Sequence, residues 1–372
     1  METKLAPLNK LCRKHNSSLR LKDVVNGEEG PYPVYGASGI VGHSSSYQFD
    51  REYVAVVKDG AGVGRVLKCE ANSSVLGTLQ PIVPIESVNR DYLFSVLETL
   101  DLAKYTSGST IPHIYFKDYG RELVPCLDHA EQNLLASRFE TVNLTLDACN
   151  TCIEKCDSLV KSRFTEMFGD AVTIQGKWRP CALIDCVESL ESGNSPSCGA
   201  TPREGLGPGV LKLSALSSGM FLSGENKAML EGETIARDKE VRRGDILLAR
   251  KNTLELVGSC VLVREEVSNL MFPDIVFRMH PNDRTNGEYL VTLLSGPAYS
   301  SRVKALAHGS NKSMSNIPKS ELAKLPIPIP PLALQQEFAD FANQVDKLRF
   351  DVQRQIEQLE TLKKSLMQEY FG

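Results

Sequence analysis

The sequence predicts an α+β fold: two β-rich domains, each followed by a long helix, with the two helices pairing antiparallel as a coiled coil. Three observations carry this expectation. The chain closes with "TLKKSLMQEYFG" (Thr361–Gly372), and "SLVKSRFTEMFG" (Ser158–Gly169) stands 203 residues earlier, with identities at Leu159/Leu362, Lys161/Lys364, Ser162/Ser365, Glu166/Glu369, Phe168/Phe371 and Gly169/Gly372. Six identities in twelve positions mark an internal repeat. A chain of 372 residues is too long for one ordinary core and calls for two globular units. In both halves, moreover, short β-type runs broken by glycine-rich turns give way to a proline-marked stretch and then to heptad-spaced apolar residues.

Residues 1–127 form the first β-rich domain. Runs such as "EYVAVVKDG" and "GRVLKCE" read as strands, and "PYPVYGASGIVG", "DGAGVG" and "TSGST" read as turns. The first long helix is placed at 128–172. Asp128 can cap it, and Glu131 three residues later completes a capping box. Residues 173–331 repeat the β-rich style with "GVLKLSAL", "GDILLARKN", "SCVLVREE" and "DIVFRMH". Helices interrupt both domains, at "RDYLFSVLETLDL" and at "GEYLVTLLSGPAYSSRVKAL". The second long helix, 332–372, follows Pro330-Pro331, where a fixed φ suits a first turn and a missing N–H costs nothing. Val345, Leu348, Val352, Leu359, Leu362 and Leu366 form its predicted seam, answered by Val142, Cys149, Cys156 and Leu159 in the first helix. About 40 residues at ~1.5 Å each make a helix of roughly 60 Å, so two such helices bury their stripes best against each other and hold the domains apart.

Composition narrows the function. Hydrophobic content of 42% and charged content of 24% are those of a globular protein, no run reaches the length of a membrane span, and the start "METKLAPLNK" lacks an apolar signal core, so a cytoplasmic protein is expected. Ten cysteines at irregular spacing fit a reducing compartment. Cys149, Cys152 and Cys156 lie along one helical stripe, and in the repeat Cys149 aligns with Val352 and Cys156 with Leu359, so they are read as small hydrophobes rather than metal ligands. The net charge of −4 is concentrated in residues 129–172 and 332–372, which carry 9 basic and 14 acidic residues, whereas the remainder carries 33 and 32. Near-neutral domains of this kind can still present a basic face.

Catalytic signatures are missing. "DGAGVG" lacks the spacing of a dinucleotide loop, "YGASGIVG" lacks the lysine of a phosphate loop, and no H-E-x-x-H, paired-cysteine zinc pattern, G-x-S-x-G or N-P-P-F/Y run occurs. An enzymatic reading would need Asp59, His113 or Asp274 buried in a pocket with a carboxylate–histidine contact. A non-catalytic coiled-coil scaffold that binds other proteins is the alternative to a nucleic-acid reader.

The order of these features resembles the specificity subunits of type I restriction-modification systems. "PYPVYGASGIVG" is similar to the Y-G-x-x-G-x-x-G signature of one class of their target recognition domains, and "GDILLARKNTLELVGSCVLV" to their G-D-I-L…G strand pair. The "LPIPIPP…QQEFA" stretch and the duplicated "L…S…FG" helix end complete the resemblance, which covers nearly the whole chain. It departs in one place: the family has a tryptophan near the start of the first domain, and here the only tryptophan is Trp178, heading the second. The resemblance implies that each domain reads one half of a bipartite, asymmetric sequence in double-stranded DNA, and that the helices set the spacing. It further implies that two copies of a methyltransferase subunit dock on the duplicated surfaces, with S-adenosylmethionine on that partner and none here, and that a restriction/translocase subunit joins through the complex. A single chain with an internal repeat can present matching surfaces to two copies of one partner.

Under that reading, loops rich in small polar residues beside Lys or Arg are the candidates for DNA contact. In the first domain these are Tyr35, Ser38, His43, Ser44, Ser45, Lys58, Arg65, Ser107, Ser109, Thr110 and His113. In the second they are Arg250, Lys251, Asn252, His308, Ser310, Asn311, Lys312 and Ser313.

Overall fold

The computed structural model describes residues 4–60, 62–108, 112–169, 177–308 and 314–371. Two units divide the chain, Met1–Thr151 with Gln353–Gly372, and Cys152–Val352. The division falls inside both long helices, so each unit owns part of each.

The same architecture is built twice, as α+β. In the first unit a four-stranded antiparallel sheet runs in the order Cys12–Lys14, Leu79–Pro84, Tyr53–Val57, Val66–Cys69. In the second the order is Val187–Ser192, Val276–Pro281, Ile246–Ala249, Cys260–Leu262. A three-stranded sheet accompanies each. Tyr32–Gly36 pairs antiparallel with Gly39–Ser44 and parallel with Ser74–Val75; Gly209–Leu211 pairs antiparallel with Asn226–Ala228 and parallel with Leu270–Met271.

The central strands are buried on both faces, and their period of two divides the core. Val54, Val56 and Ile82 pack with Tyr92, Leu93, Val96 and Leu97 of the helix Arg90–Thr99, while Tyr53, Ala55, Val57 and Leu79 pack with Tyr35, Phe49 and Val75. The second unit repeats the division. Ile246, Leu248, Phe277 and Met279 meet Tyr289, Leu290, Leu293 and Leu294 of the helix Gly287–Ser295, and Leu247, Val261 and Val276 meet Leu211 and Phe272.

Each domain is joined to its long helix by a duplicated polar clamp. Gln132 and Gln335 are buried, at 2% and 0% exposure. Gln132 Oε1 accepts from the Asn89 amide at 2.7 Å, and its Nε2 donates to the carbonyls of Ser87 and Leu127 at 3.0 and 2.9 Å. Gln335 does the same with Asn286 N at 2.8 Å and the carbonyls of Arg284 and Pro330 at 3.2 and 2.8 Å. Asn89 and Asn286 in turn cap the domain helices through their side-chain oxygens. A second duplicated bond runs from Tyr92 Oη to the Pro125 carbonyl at 2.6 Å and from Tyr289 Oη to that of Pro328 at 2.8 Å.

The long helices span His129–Phe168 and Leu332–Phe371. The capping box forms: Glu131 N donates to Asp128 Oδ1 at 2.9 Å and Asp128 N to Glu131 Oε2 at 3.0 Å. The first helix stops at Gly169, whose φ of +97° only glycine adopts readily, and Trp178 Nε1 donates to the Phe168 carbonyl at 3.2 Å.

Within each unit the helix segments pair antiparallel. Arg163 meets Glu337 at 2.9 Å and Arg349 meets Asp157 in one; Lys363 meets Asn143 at 2.8 Å and Arg138 meets Tyr370 at 2.8 Å in the other. Residues 335, 338, 342, 345, 349, 352, 356, 359, 363, 366 and 370 turn inward in an unbroken alternation of threes and fours, matched 203 residues earlier from 132 to 167.

The predicted seam is corrected at three residues. Val142, Cys149, Cys156, Val345 and Val352 are buried and Leu359 and Leu366 half-buried, but Leu159, Leu348 and Leu362 are 50%, 49% and 47% exposed. Each stands one residue, or about 100° of helix rotation, before a true seam position. Those positions hold Val160, Arg349 and Lys363, and hydropathy points to the neighbouring leucine because two of the three are cationic.

Candidate nucleic-acid interface

In each unit the central strand runs into a turn whose backbone is pinned in the same way. Val57 N donates to the Arg65 carbonyl at 2.8 Å and Gly64 N to that of Val57 at 2.9 Å; Ala249 N donates to Ser259 at 2.9 Å and Gly258 N to Ala249 at 2.8 Å. Gly64 and Gly258 both take left-handed φ, +88° and +80°, and a Cβ on Gly258 would lie 2.7 Å from Val303 Cγ1. A later segment then closes the corner. Ile114 N donates to the Lys58 carbonyl at 3.0 Å, and Ile317 N to the Arg250 carbonyl at 2.9 Å. Reciprocal backbone bonds join Ser107 to His113 (2.8 and 2.9 Å) and His308 to Asn316 (2.9 and 3.0 Å). Lys58 and Arg250 thus occupy one position of the repeated frame, Ser107 and His308 a second, His113 and Asn316 a third.

The side chains on this frame differ. In the first unit His113 Nδ1 contacts Asp59 Oδ1, with the two side chains 26% and 28% exposed. The Tyr115 ring centroid lies 4.1 Å from that of the imidazole and the residue is itself exposed, with Lys117 Nζ 5.1 Å from the tyrosine ring centroid. Arg65 reaches the Ala37 carbonyl at 3.0 Å, beside exposed Ser38. In the second unit Arg250 Nε donates to Asn316 Oδ1 at 3.3 Å, its terminal nitrogen reaches Ser192 Oγ at 3.4 Å, and the guanidinium covers the Phe277 ring at 5.0 Å. Lys251 and Asn252 pair with Asn316 and Ser315 in a short ladder, and His308 is exposed beside them. Both corners therefore offer basic and polar groups on a rigid backbone, which suits contact with phosphates and base edges.

The predicted contact residues sort accordingly. Ser38, Lys58, Arg65, Ser107 and His113 gather at one corner, and Arg250, Lys251, Asn252 and His308 at the other. Tyr35 is corrected: it is 8% exposed and packs in the core with Phe49, Tyr53 and Val75, in a strand whose consecutive residues Val34, Tyr35 and Gly36 are all buried. Burial raises its phenol above the ordinary range, and its hydroxyl accepts weakly from Glu70 N at 3.4 Å. His43, Ser44 and Ser45 lie at the far end of the hairpin whose tip holds Ser38; His43 pairs with Pro33, roughly 17 Å along the strand at ~3.3 Å per residue. Ser109, Thr110, Ser310, Asn311, Lys312 and Ser313 lie outside the described residues. Sequence reasoning missed Asn316, Tyr115 and Lys117. The signal for Asn316 was present, since it stands 203 residues after His113.

The carboxylate–histidine contact that an enzymatic reading requires is made by Asp59 and His113, but without the burial that reading also requires. Asp274 is exposed and accepts from Ser195 Oγ.

Comparison with known proteins gives a consistent result. Residues 240–361 match the type I restriction modification DNA specificity domain. The type I restriction enzyme EcoEI specificity subunit of Escherichia coli is 30% identical over 183 residues, 47% of this chain and 31% of that protein. The EcoKI specificity subunit of Escherichia coli (strain K12) is 24% identical over 208 residues, 53% of this chain and 45% of that protein. The chain thus spans less than half the length of these curated relatives. The crystal structure of the S subunit of a type I restriction-modification system from M. genitalium superposes with a TM-score of 0.66 over 100% of this chain and 97% of that one, a likeness of fold at 13% identity. Among the described residues no helix is long and apolar enough to cross a membrane. With matching sequence in the second unit, curated relatives of one kind and the same fold over its full length, the chain is similar to the specificity subunits of type I restriction-modification systems.

Proposed function

We propose that the chain is the DNA-recognition subunit of a methyltransferase and restriction assembly, and that each unit reads one half of a bipartite, asymmetric duplex sequence. The observation that carries this reading is the repeated corner. One backbone frame is built twice, with a basic residue at the same position (Lys58, Arg250) and different polar side chains around it. Equivalent frames with different side chains are what two readers of two different half-sites need, since phosphate contacts position a protein and base contacts specify the sequence. The chain makes and breaks no bonds in this scheme. S-adenosylmethionine belongs to the methyltransferase partner, and a restriction/translocase subunit joins through the complex.

The duplicated helix ends support two copies of that partner. Packing accounts for Phe168 and helix termination for Gly169, but Leu159 and Leu362 are identical, equally exposed and off the seam. Identical exposed residues in two copies of a helix fit one partner docking twice.

Co-expression with the neighbouring methyltransferase, followed by selection from a random duplex library, tests the reading. Enrichment of one split sequence, with one half lost when either unit is replaced, is the expected result. Arg250→Ala combined with Lys312→Ala should abolish recognition of one half-site and leave the fold intact. A stable complex with no sequence enrichment would reject DNA recognition and leave a scaffold.

A further inference from the structure

We propose that His113 braced by Asp59, and Asn316 braced by Arg250, are the residues that make the two units read different bases. The proposal rests on the DNA-recognition reading above and assigns the specificity of its two corners.

His113 and Asn316 hold the same place in the repeat. Each exchanges two backbone bonds with the residue that opens its loop, Ser107 or His308, and each precedes an isoleucine whose N–H fastens the loop to Lys58 or Arg250. Backbone so constrained fixes where the side chain starts, and in both units a second side chain fixes where it points. The Asp59 carboxylate accepts from the Nδ1–H of His113, which sets the ring's orientation and leaves Nε2, without a hydrogen-bond partner among the described residues, to face a base edge. Tyr115, with its ring centroid 4.1 Å away, packs on the imidazole and restricts its rotation. In the second unit Arg250 Nε occupies Asn316 Oδ1, leaving the two amide protons of Asn316 to donate. Arg250 is itself tied to Ser192 and stacked on Phe277, so it serves as the brace.

The two corners therefore present different hydrogen-bonding patterns at one geometric position. An amide donor fits the acceptors of a purine N7, a guanine O6 or a thymine O4 in the major groove, whereas a single imidazole nitrogen offers one contact of different direction and reach. Asp59 is a positioning residue here, acting through His113. The roles of Asp59 as a brace and of Asn316 become clear only in the fold, where each meets a partner 54 or 66 residues away.

The test uses the full chain in complex with its methyltransferase, selecting from a random duplex library with the wild type and with His113→Ala, Asp59→Asn and Asn316→Ala. In the His113→Ala complex, enrichment of the preferred base should fall about 5- to 150-fold at one position of one half-site, with the other half-site unchanged. Asp59→Asn should weaken preference at that same position by less, and Asn316→Ala should act in the opposite half-site. Thermal melting and co-purification with the methyltransferase check that each variant is folded; if His113→Ala is not, His113→Gln keeps a polar side chain and should change which base is preferred. A uniform loss of affinity with unaltered base preference would mean a phosphate contact or a structural role, and would overturn the assignment. So would an unchanged selection, or altered preference in both half-sites from one substitution. If the wild-type complex enriches no split sequence, the DNA-recognition reading fails first and takes this assignment with it.

Discussion

Replacing Gln335 with leucine tests whether the clamp between domain and long helix is a structural necessity. The side chain is fully buried, and leucine is close to it in volume, so packing is nearly conserved while every polar contact disappears. Three backbone groups lose their partner: the Asn286 amide and the carbonyls of Arg284 and Pro330. An abandoned buried group costs about 1–3 kcal/mol; with three such groups, one of them the carbonyl of exposed Arg284, each is taken near the low end of that range and the expected loss is about 3–5 kcal/mol. For a unit the size of Cys152–Val352, each kcal/mol corresponds to about 2–4 °C, which places the drop in melting temperature at roughly 6–20 °C. Scanning calorimetry on the full chain is the suitable assay, because it resolves separate transitions in a protein of two units. Exposed Gln336, which accepts from Asn286 Nδ2 at 3.2 Å, supplies the control: Gln336→Ala should stay within about 0.5 kcal/mol. Gln132→Leu should reproduce the effect in the first unit. A Gln335→Leu protein melting within about 2 °C of the wild type would refute the reasoning, since it would mean that the freed backbone groups find other partners.

Two further outcomes follow from packing and charge. Ile356→Ala, at a buried seam position, should cost about 2–5 kcal/mol, whereas Leu362→Ala, six residues on and half-exposed, should cost under about 1 kcal/mol; urea denaturation separates them, and equal losses would contradict the corrected seam. Burial of Glu191 works against its charged form, but the Lys239 ammonium and the Arg278 guanidinium, at 3.1 and 2.8 Å, outweigh it and hold the carboxyl below its usual 4.5. A carboxyl lowered in the folded state lends stability that is present above pH 4.5 and is lost as pH falls through the lowered value. Glu191→Gln should therefore be less stable than the wild type at neutral pH, with the gap closing as both are taken below 4.5; urea midpoints along that series check it, and a gap that persists in acid would contradict the sign.

Much of the architecture was legible because it is written in local chemistry and then written again. The capping box at Asp128 and Glu131 and the helix end at Phe168-Gly169 follow from nearest-neighbour rules. The seam was legible only where its residues are apolar. At 349 and 363 the inward positions hold Arg and Lys, each satisfied by a partner from far along the chain, and periodicity alone selected the exposed leucine beside each. Tyr35 was misread for a related reason: a tyrosine among glycines looks like a contact residue, and only the folded sheet shows that it packs in the core. The Asp59–His113 contact was named only as something an enzyme would need, and the Arg250–Asn316 pair not at all, because their members meet only through tertiary folding.

The cations within the helix seam have a consequence for assembly. Aliphatic layers repeat every seven residues, so helices joined by them alone could slide by one heptad and still meet apolar against apolar. Arg349 disfavours this in its unit, because a slid helix would carry its guanidinium away from Asp157; with Asp157 53% exposed and Asp346 still paired from the same helix, the lost contact is worth up to about 1 kcal/mol. Lys363, between Asn143 and Glu98, does the same in the other unit. These two residues act as index marks. Together they favour one setting out of several that hydrophobicity would accept.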